Sequence, residues 1–145
     1  MSLLICVGIV LDALSKILTQ IYLAEQSIVL IPGFLSLEYV RNSGIAFSLP
    51  LTGILLKIIT MILIFVIIVY YIHEERVKKS RFLDIGFALI LSGALGNAWE
   101  RIFIGSVTDM IAVERFAIFN LADSLIFLGA CVLIYTYFIK KYPNF

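Results

Sequence analysis

The chain has 145 residues, 62% of them hydrophobic and 14% charged, and a formal net charge of +1 at pH 7. Soluble domains hold roughly 45–50% apolar residues with glycine included, so this composition and a mean hydropathy of +1.09 exclude a soluble protein and indicate an integral membrane one. The net charge itself is uninformative, and the one basic cluster, at 76–81, is short and adjoins Glu74 and Glu75, so nothing reads as a nucleic-acid arm.

Helices need about 20 apolar residues to cross the hydrocarbon core of a bilayer. Runs of that kind occur at Ser2–Leu23, Leu51–Ile72, Phe82–Ala98 with a continuation to Ile104, and Ile118–Ile139. They predict a single all-α membrane domain of four transmembrane helices, about 2–23, 51–72, 82–104 and 118–139. The first run contains Lys16 and no basic leader region, so it is expected to be a retained helix rather than a cleaved signal peptide.

The first helix carries Asp12, Ser15, Lys16 and Thr19 on one stripe, with the acid four residues before the base in the favourable order for an ion pair. The connection that follows alternates Leu35, Leu37 and Tyr39 with Ser36 and Glu38 after a Pro32-Gly33 turn signal, the period of a half-buried strand. A short sheet on the outer leaflet, a cradle beside a site, is expected there. The second connection carries Arg76, Lys78, Lys79 and Arg81, and the tail Lys140 and Lys141. By the positive-inside rule both face the cytoplasm, as does the N-terminus. The first and third connections then face outward.

The third helix ends in Gly93-Ala94-Leu95-Gly96-Asn97-Ala98-Trp99-Glu100-Arg101, with small and polar residues on shared faces. Glycines admit a close neighbouring helix, but packing alone does not explain Asn97, Glu100 and Arg101 together. The connection after it alternates Val107, Asp109, Ile111 and Val113 like a strand. The fourth helix opens with Asn120, Asp123 and Ser124 on one face. Carboxylates near a bilayer are costly and mark functional sites. Asp109 and Asp123, one short connection apart, can share a proton and activate water.

Cys6 and Cys131 lie in apolar runs and form no CxxC motif, and His73 is the single histidine. A disulfide framework, a His-rich zinc site and a Ser-His-Asp triad are therefore excluded. No metal or other cofactor is expected. A small ion or proton channel is the alternative reading, resting on Asp12, Lys16, Glu100 and Asp123. It requires charges along one bore, whereas these gather at the outer ends of the third and fourth helices. A Ser/Lys peptidase is disfavoured because Ser15 and Lys16 point about 100° apart on a helix.

Asp12-Ala13-Leu14-Ser15-Lys16, Asn42-Ser43-Gly44-Ile45-Ala46-Phe47, the run from Gly93 to Arg101 with Val107-Thr108-Asp109, and Phe119-Asn120-Leu121-Ala122-Asp123-Ser124 resemble the successive signatures of bacterial lipoprotein signal peptidases (signal peptidase II). The resemblance spans nearly the whole chain. It implies an intramembrane aspartic endopeptidase of the bacterial cytoplasmic (inner) membrane, active on the extracytoplasmic side. Its substrates would be prolipoproteins with a diacylglyceryl-modified cysteine, cut on the N-terminal side of that cysteine. It further implies Asp109 and Asp123 as the catalytic pair. Asn42, Gly44, Asn97, Arg101 and Asn120 would line the site, and Asp12 and Lys16 would support it. Membrane lipids would be the other partners, and a monomer is expected. The family typically has Asp where Glu100 stands, Ala at Ile45, Gly at Ser92, and Gln-x-Thr where this chain has Ala13-Leu14-Ser15.

Overall fold

A computed structural model describes residues 1–44, 53–75, 78 and 80–139. The Ile45-Ala46-Phe47 part of the second motif, the start of the second predicted helix, and Arg76, Lys79, Lys140 and Lys141 of the basic segments lie outside the described residues. Helix α1 spans Ser2–Tyr22, α2 Gly53–Tyr70, α3 Arg81–Phe103 and α4 Leu121–Ile134. Short π-helical turns, Tyr71–Glu75 and Tyr135–Ile139, extend α2 and α4. With these turns included, all four helices are long and apolar enough to cross a membrane.

The burial pattern is the reverse of that in a soluble bundle. In α1 the buried residues are Gly8, Asp12, Lys16 and Thr19, while Val10, Leu14, Ile17, Leu18 and Ile21 are exposed. Lipid is as apolar as leucine and exerts no hydrophobic drive to hide it, whereas a polar group without a partner in hydrocarbon costs several kcal/mol. The polar stripe therefore turns inward. Helix α2, with no polar stripe, buries only Leu56 and Ile64.

Helix α3 is the central element and packs against the other three. Its small residues permit this. A Cβ at Gly93 would overlap the Ala122 carbonyl oxygen of α4, and one at Gly96 would stand 2.5 Å from Asp12 Oδ2 of α1. Close approach here delivers the polar ends of α1, α3 and α4 to one place.

Four antiparallel strands, β1 (Ile28–Ile31), β2 (Leu35–Asn42), β3 (Val107–Val113) and β4 (Ala117–Phe119), form one sheet in the order β1-β2-β3-β4. The alternation at Leu35–Tyr39 and Val107–Val113 thus marks real strands. β1 extends the sheet beyond the segments that alternation marks, because all four of its residues are apolar and exposed. The run Ile118–Ile139 is not helical from its start. Ile118 and Phe119 complete β4 by pairing with Ala112 and Ile111, and the helix begins only after Asn120. Between Leu37 and Val40 the register with β3 shifts by a bulge. Beyond it Val40 lies opposite Asp109, Arg41 opposite Thr108 and Asn42 opposite Val107. A cavity of about 590 Å³ covers the far end of the sheet between Val29, Phe34, Ser36, Ala112 and Phe116, away from the aspartates.

Candidate active site

Asn120 holds the N-terminus of α4. Its side-chain oxygen accepts from the Asp123 backbone N–H at 2.9 Å, and Asp123 Oδ2 accepts from the Asn120 backbone N–H at 3.2 Å. This reciprocal capping box satisfies two otherwise orphaned donors, and it fixes the Asp123 carboxylate at the mouth of the helix. The Asn120 amide points the other way and donates 2.7 Å to Asp109 Oδ1 on β3. One asparagine therefore ties both aspartates to one frame.

The second oxygen of Asp109 accepts from Asn42 Nδ2 at 2.9 Å. Asn42 is turned for this by Gly44, whose backbone N–H donates 3.0 Å to Asn42 Oδ1. Asp109 is 3% exposed, and burial pushes its carboxyl above the ordinary carboxylate range. The amides of Asn42 and Asn120 oppose that shift, and the nearby Asp123 charge reinforces it. Desolvation and a like charge both disfavour the anion.

Asp123 Oδ1 accepts from Asn97 Nδ2 at 2.8 Å. Asn97 Oδ1 in turn accepts from Asn120 Nδ2 at 3.1 Å and from Lys16 Nζ at 2.9 Å. Lys16 pairs with Asp12 at 2.7 Å, one turn before it, and with Glu100 at 3.2 Å. Asp12 Oδ1 accepts from the Ala122 N–H in the first turn of α4 at 2.9 Å. The ion pair expected within α1 is thus present and also clamps α4.

Glu100 does not pair with its neighbour Arg101. Its carboxylate accepts from the Thr108 N–H at 2.9 Å and the Thr108 hydroxyl at 2.8 Å, and it faces Arg41 NH1 at 3.2 Å. Arg41 NH1 also donates to Thr108 Oγ1 at 2.9 Å. Adjacent residues of a helix cannot face each other, so Arg101 points elsewhere. Its Nε is buried and has no hydrogen-bond partner among the described residues. Of the nine site residues that the resemblance implies, the structure brings Asp12, Lys16, Asn42, Gly44, Asn97, Asp109, Asn120 and Asp123 into one network and, among the described residues, leaves Arg101 outside it.

Arg41 and Thr108 belong to that network and were not singled out as site residues. The available signal was their adjacency to Asn42 and Asp109. Among the described residues no three His, Cys, Asp or Glu side chains are grouped so as to hold a metal ion. Among the described residues the charges Asp12, Lys16, Arg41 and Glu100 pair within one cluster, an arrangement suited to fixing carboxylates and not to a continuous bore.

The sequence profile of the family described as signal peptidase (SPase) II matches residues 4–139. The lipoprotein signal peptidase of Chlorobaculum tepidum is 38% identical over 141 residues, covering 86% of this chain and 85% of the relative. That of Enterococcus faecalis is 39% identical over 130 residues, covering 86% and 80%. A bacterial membrane enzyme solved by the in meso method at 1.9 Å superposes with a TM-score of 0.79 at 27% identity, covering 94% of this chain and 90% of that one. Another, at 2.3 Å, gives 0.76 at 28%, covering 99% and 92%.

Proposed function

We propose, for a chain that belongs to the signal peptidase II family, that Asp109 and Asp123 are the catalytic pair with which it removes signal peptides from prolipoproteins. The chain is a multi-pass bacterial membrane protease. The observation that supports the pair most directly is Asn120, which donates to Asp109 and is locked reciprocally to Asp123.

In this mechanism the pair shares one proton, and burial favours the neutral form at Asp109, which makes Asp109 the acid and Asp123 the base. A water between them attacks the scissile carbonyl carbon. Asp123 takes the water's proton while Asp109 gives its own to the carbonyl oxygen, and a neutral gem-diol results. On collapse Asp109 recovers a proton from a diol hydroxyl, Asp123 delivers its proton to the leaving nitrogen, and the C–N bond breaks. The Asn42 and Asn97 amides hold one oxygen of each carboxylate, leaving the other lone pairs for the proton and the water.

The Nε of Arg101, buried and without a partner among the described residues, fits a donor that waits for a substrate carbonyl. In this reading the site faces outward, both termini are cytoplasmic, and the protein works as a monomer. The substrate's cysteine carries a diacylglyceryl group whose acyl chains stay in the bilayer and slide between helices, with cleavage before that cysteine. The test is whether the purified protein in vesicles cleaves a synthetic prolipoprotein with a diacylglyceryl cysteine. Processing is expected. Proton flux without peptide cleavage would instead favour the channel.

A further inference from the structure

Strand β3 presents two faces at the site. Asp109 points to the Asn42 and Asn120 amides, and its predecessor Thr108 points the opposite way into Glu100 and Arg41. The Glu100 carboxylate grips Thr108 by both backbone N–H and hydroxyl, and Arg41 NH1 is shared between Glu100 and Thr108. Three residues from α3, β2 and β3 thus close a ring immediately behind the aspartate. Because β-strand residues alternate in face, fixing Thr108 in position and orientation fixes where Asp109 points. Arg41 also precedes Asn42, so one ring secures both Asp109 and one of its amide partners.

The same cluster has a defined charge. Lys16 and Arg41 supply two positive charges, and Asp12 and Glu100 two negative ones, all connected by pairs of 2.7–3.2 Å. Within this cluster they cancel, so removing one member alone unbalances the charge behind the aspartate pair. We propose that Glu100 and Arg41 are positioning residues, which orient Asp109 through Thr108 and set the electrostatic balance under which the dyad retains its single proton. This rests on the assignment of Asp109 and Asp123 as the dyad.

Lys16 from α1 and Asp123 from α4 act on Asp109 directly. The other charged groups packed around the site are Asp12 from α1, Arg41 from β2 and Glu100 from α3, which lie behind Thr108, and Arg101 from α3. Loss of the Glu100 charge leaves an excess positive charge, which favours release of the shared proton at lower pH. Loss of the Arg41 charge does the reverse. Opposite shifts are therefore expected, and they should cancel when both charges are removed. A purely structural role predicts no such antisymmetry.

The experiment measures kcat and KM against pH for cleavage of a lipidated prolipoprotein peptide by the full-length protein in vesicles. The variants are Glu100→Gln, Arg41→Gln, the double variant, Thr108→Val and Arg41→Lys. Glu100→Gln is expected to move the alkaline limb of kcat down by about half a pH unit or more, and Arg41→Gln to move it up similarly, as for charges acting in an effective dielectric of about 20. The double variant should return the limb near its original place. Thr108→Val should lower kcat about tenfold with KM within about twofold, as expected when Asp109 is misaligned for the chemical step while substrate binding is left intact. Shifts of the same sign, or none, in folded variants would overturn the proposal. Should Arg41→Gln fail to fold, Arg41→Lys keeps the charge without the planar fork. It must then hold the limb in place while lowering kcat, and a displaced limb refutes the charge argument. Asp109→Asn is the separate control: full turnover there sinks the dyad itself, whatever Arg41 and Glu100 do.

Discussion

Asn120 performs three tasks at once: it accepts from the Asp123 N–H and donates to Asp109 and to Asn97 Oδ1. Replacing either aspartate by asparagine keeps the shape and removes the chemistry. Asp109→Asn and Asp123→Asn are predicted to insert normally, to stay within about 1–2 kcal/mol of wild type for the lost hydrogen bond, and to abolish cleavage. The double variant should be no worse than either single one. Substantial turnover in a well-folded single variant would refute the mechanism. Asp109 also makes a pH prediction. Its carboxyl binds a proton more tightly in the folded state than in the unfolded chain, where the ordinary value is 3.8. Above that value the unfolded state loses its proton first, so the Asp109 contribution to stability falls as pH rises towards the raised folded value. Melting of wild type against Asp109→Asn should therefore shift in favour of the asparagine from acid to neutral pH. A shift in the opposite direction would show that the amides of Asn42 and Asn120 outweigh burial.

At the scale of elements, the links that matter run between helix ends. Lys16 is 6% and Asp12 1% exposed, and breaking a buried pair by removing one partner costs about 3–5 kcal/mol, because the other charge is left uncompensated. Lys16→Met is predicted to lose that much stability and to reduce cleavage, since Asn97 and Glu100 lose their shared donor. A reversible unfolding titration in detergent gives the first quantity, and a loss below about 1 kcal/mol would place Asp12 and Glu100 in contact with water. Helix α4 depends on the same clamp, because Asp12 accepts from its Ala122 N–H. Lys57 ties α2 to α3, donating 3.1 Å to the Ile102 carbonyl in the last turn of α3. A basic side chain there complements the helix dipole.

For the whole molecule, the four spans and the basic second connection predict, by the positive-inside rule, the orientation that the proposed outward-facing site requires. In a background with Cys6 and Cys131 replaced, cysteines at Ser36 and Ser106 are predicted to react with an impermeant thiol reagent from outside intact cells, and one at Ser80 to be protected. Labelling at Ser80 alone would invert the topology and place the aspartates on the cytoplasmic side. The substrate's lipid is predicted to contribute to binding through buried methylenes worth roughly 0.8 kcal/mol each. Equal kcat/KM for lipidated and unlipidated precursor would remove the acyl chains from recognition.

The membrane class, the four spans, the Asp12–Lys16 pair and the two aspartates were legible in the sequence because each rests on composition or short-range spacing. Apolar runs, an i,i+4 stripe and an alternating strand are local properties. What the sequence left open depended on contacts between distant segments. Glu100 sits beside Arg101 in the chain, yet its partners are Lys16, Arg41 and Thr108, since helix geometry turns adjacent residues about 100° apart and close packing along Gly93 and Gly96 brings α1 and α4 within reach. The apolar segment from Ile118 reads as one helix until β3 pairs with its first residues and Asn120 caps what remains. Local pattern by itself fixed which residues were costly enough in a membrane to require partners. Only the tertiary structure decided which partners they found, because satisfying a buried charge is a property of the whole cluster and not of any one segment.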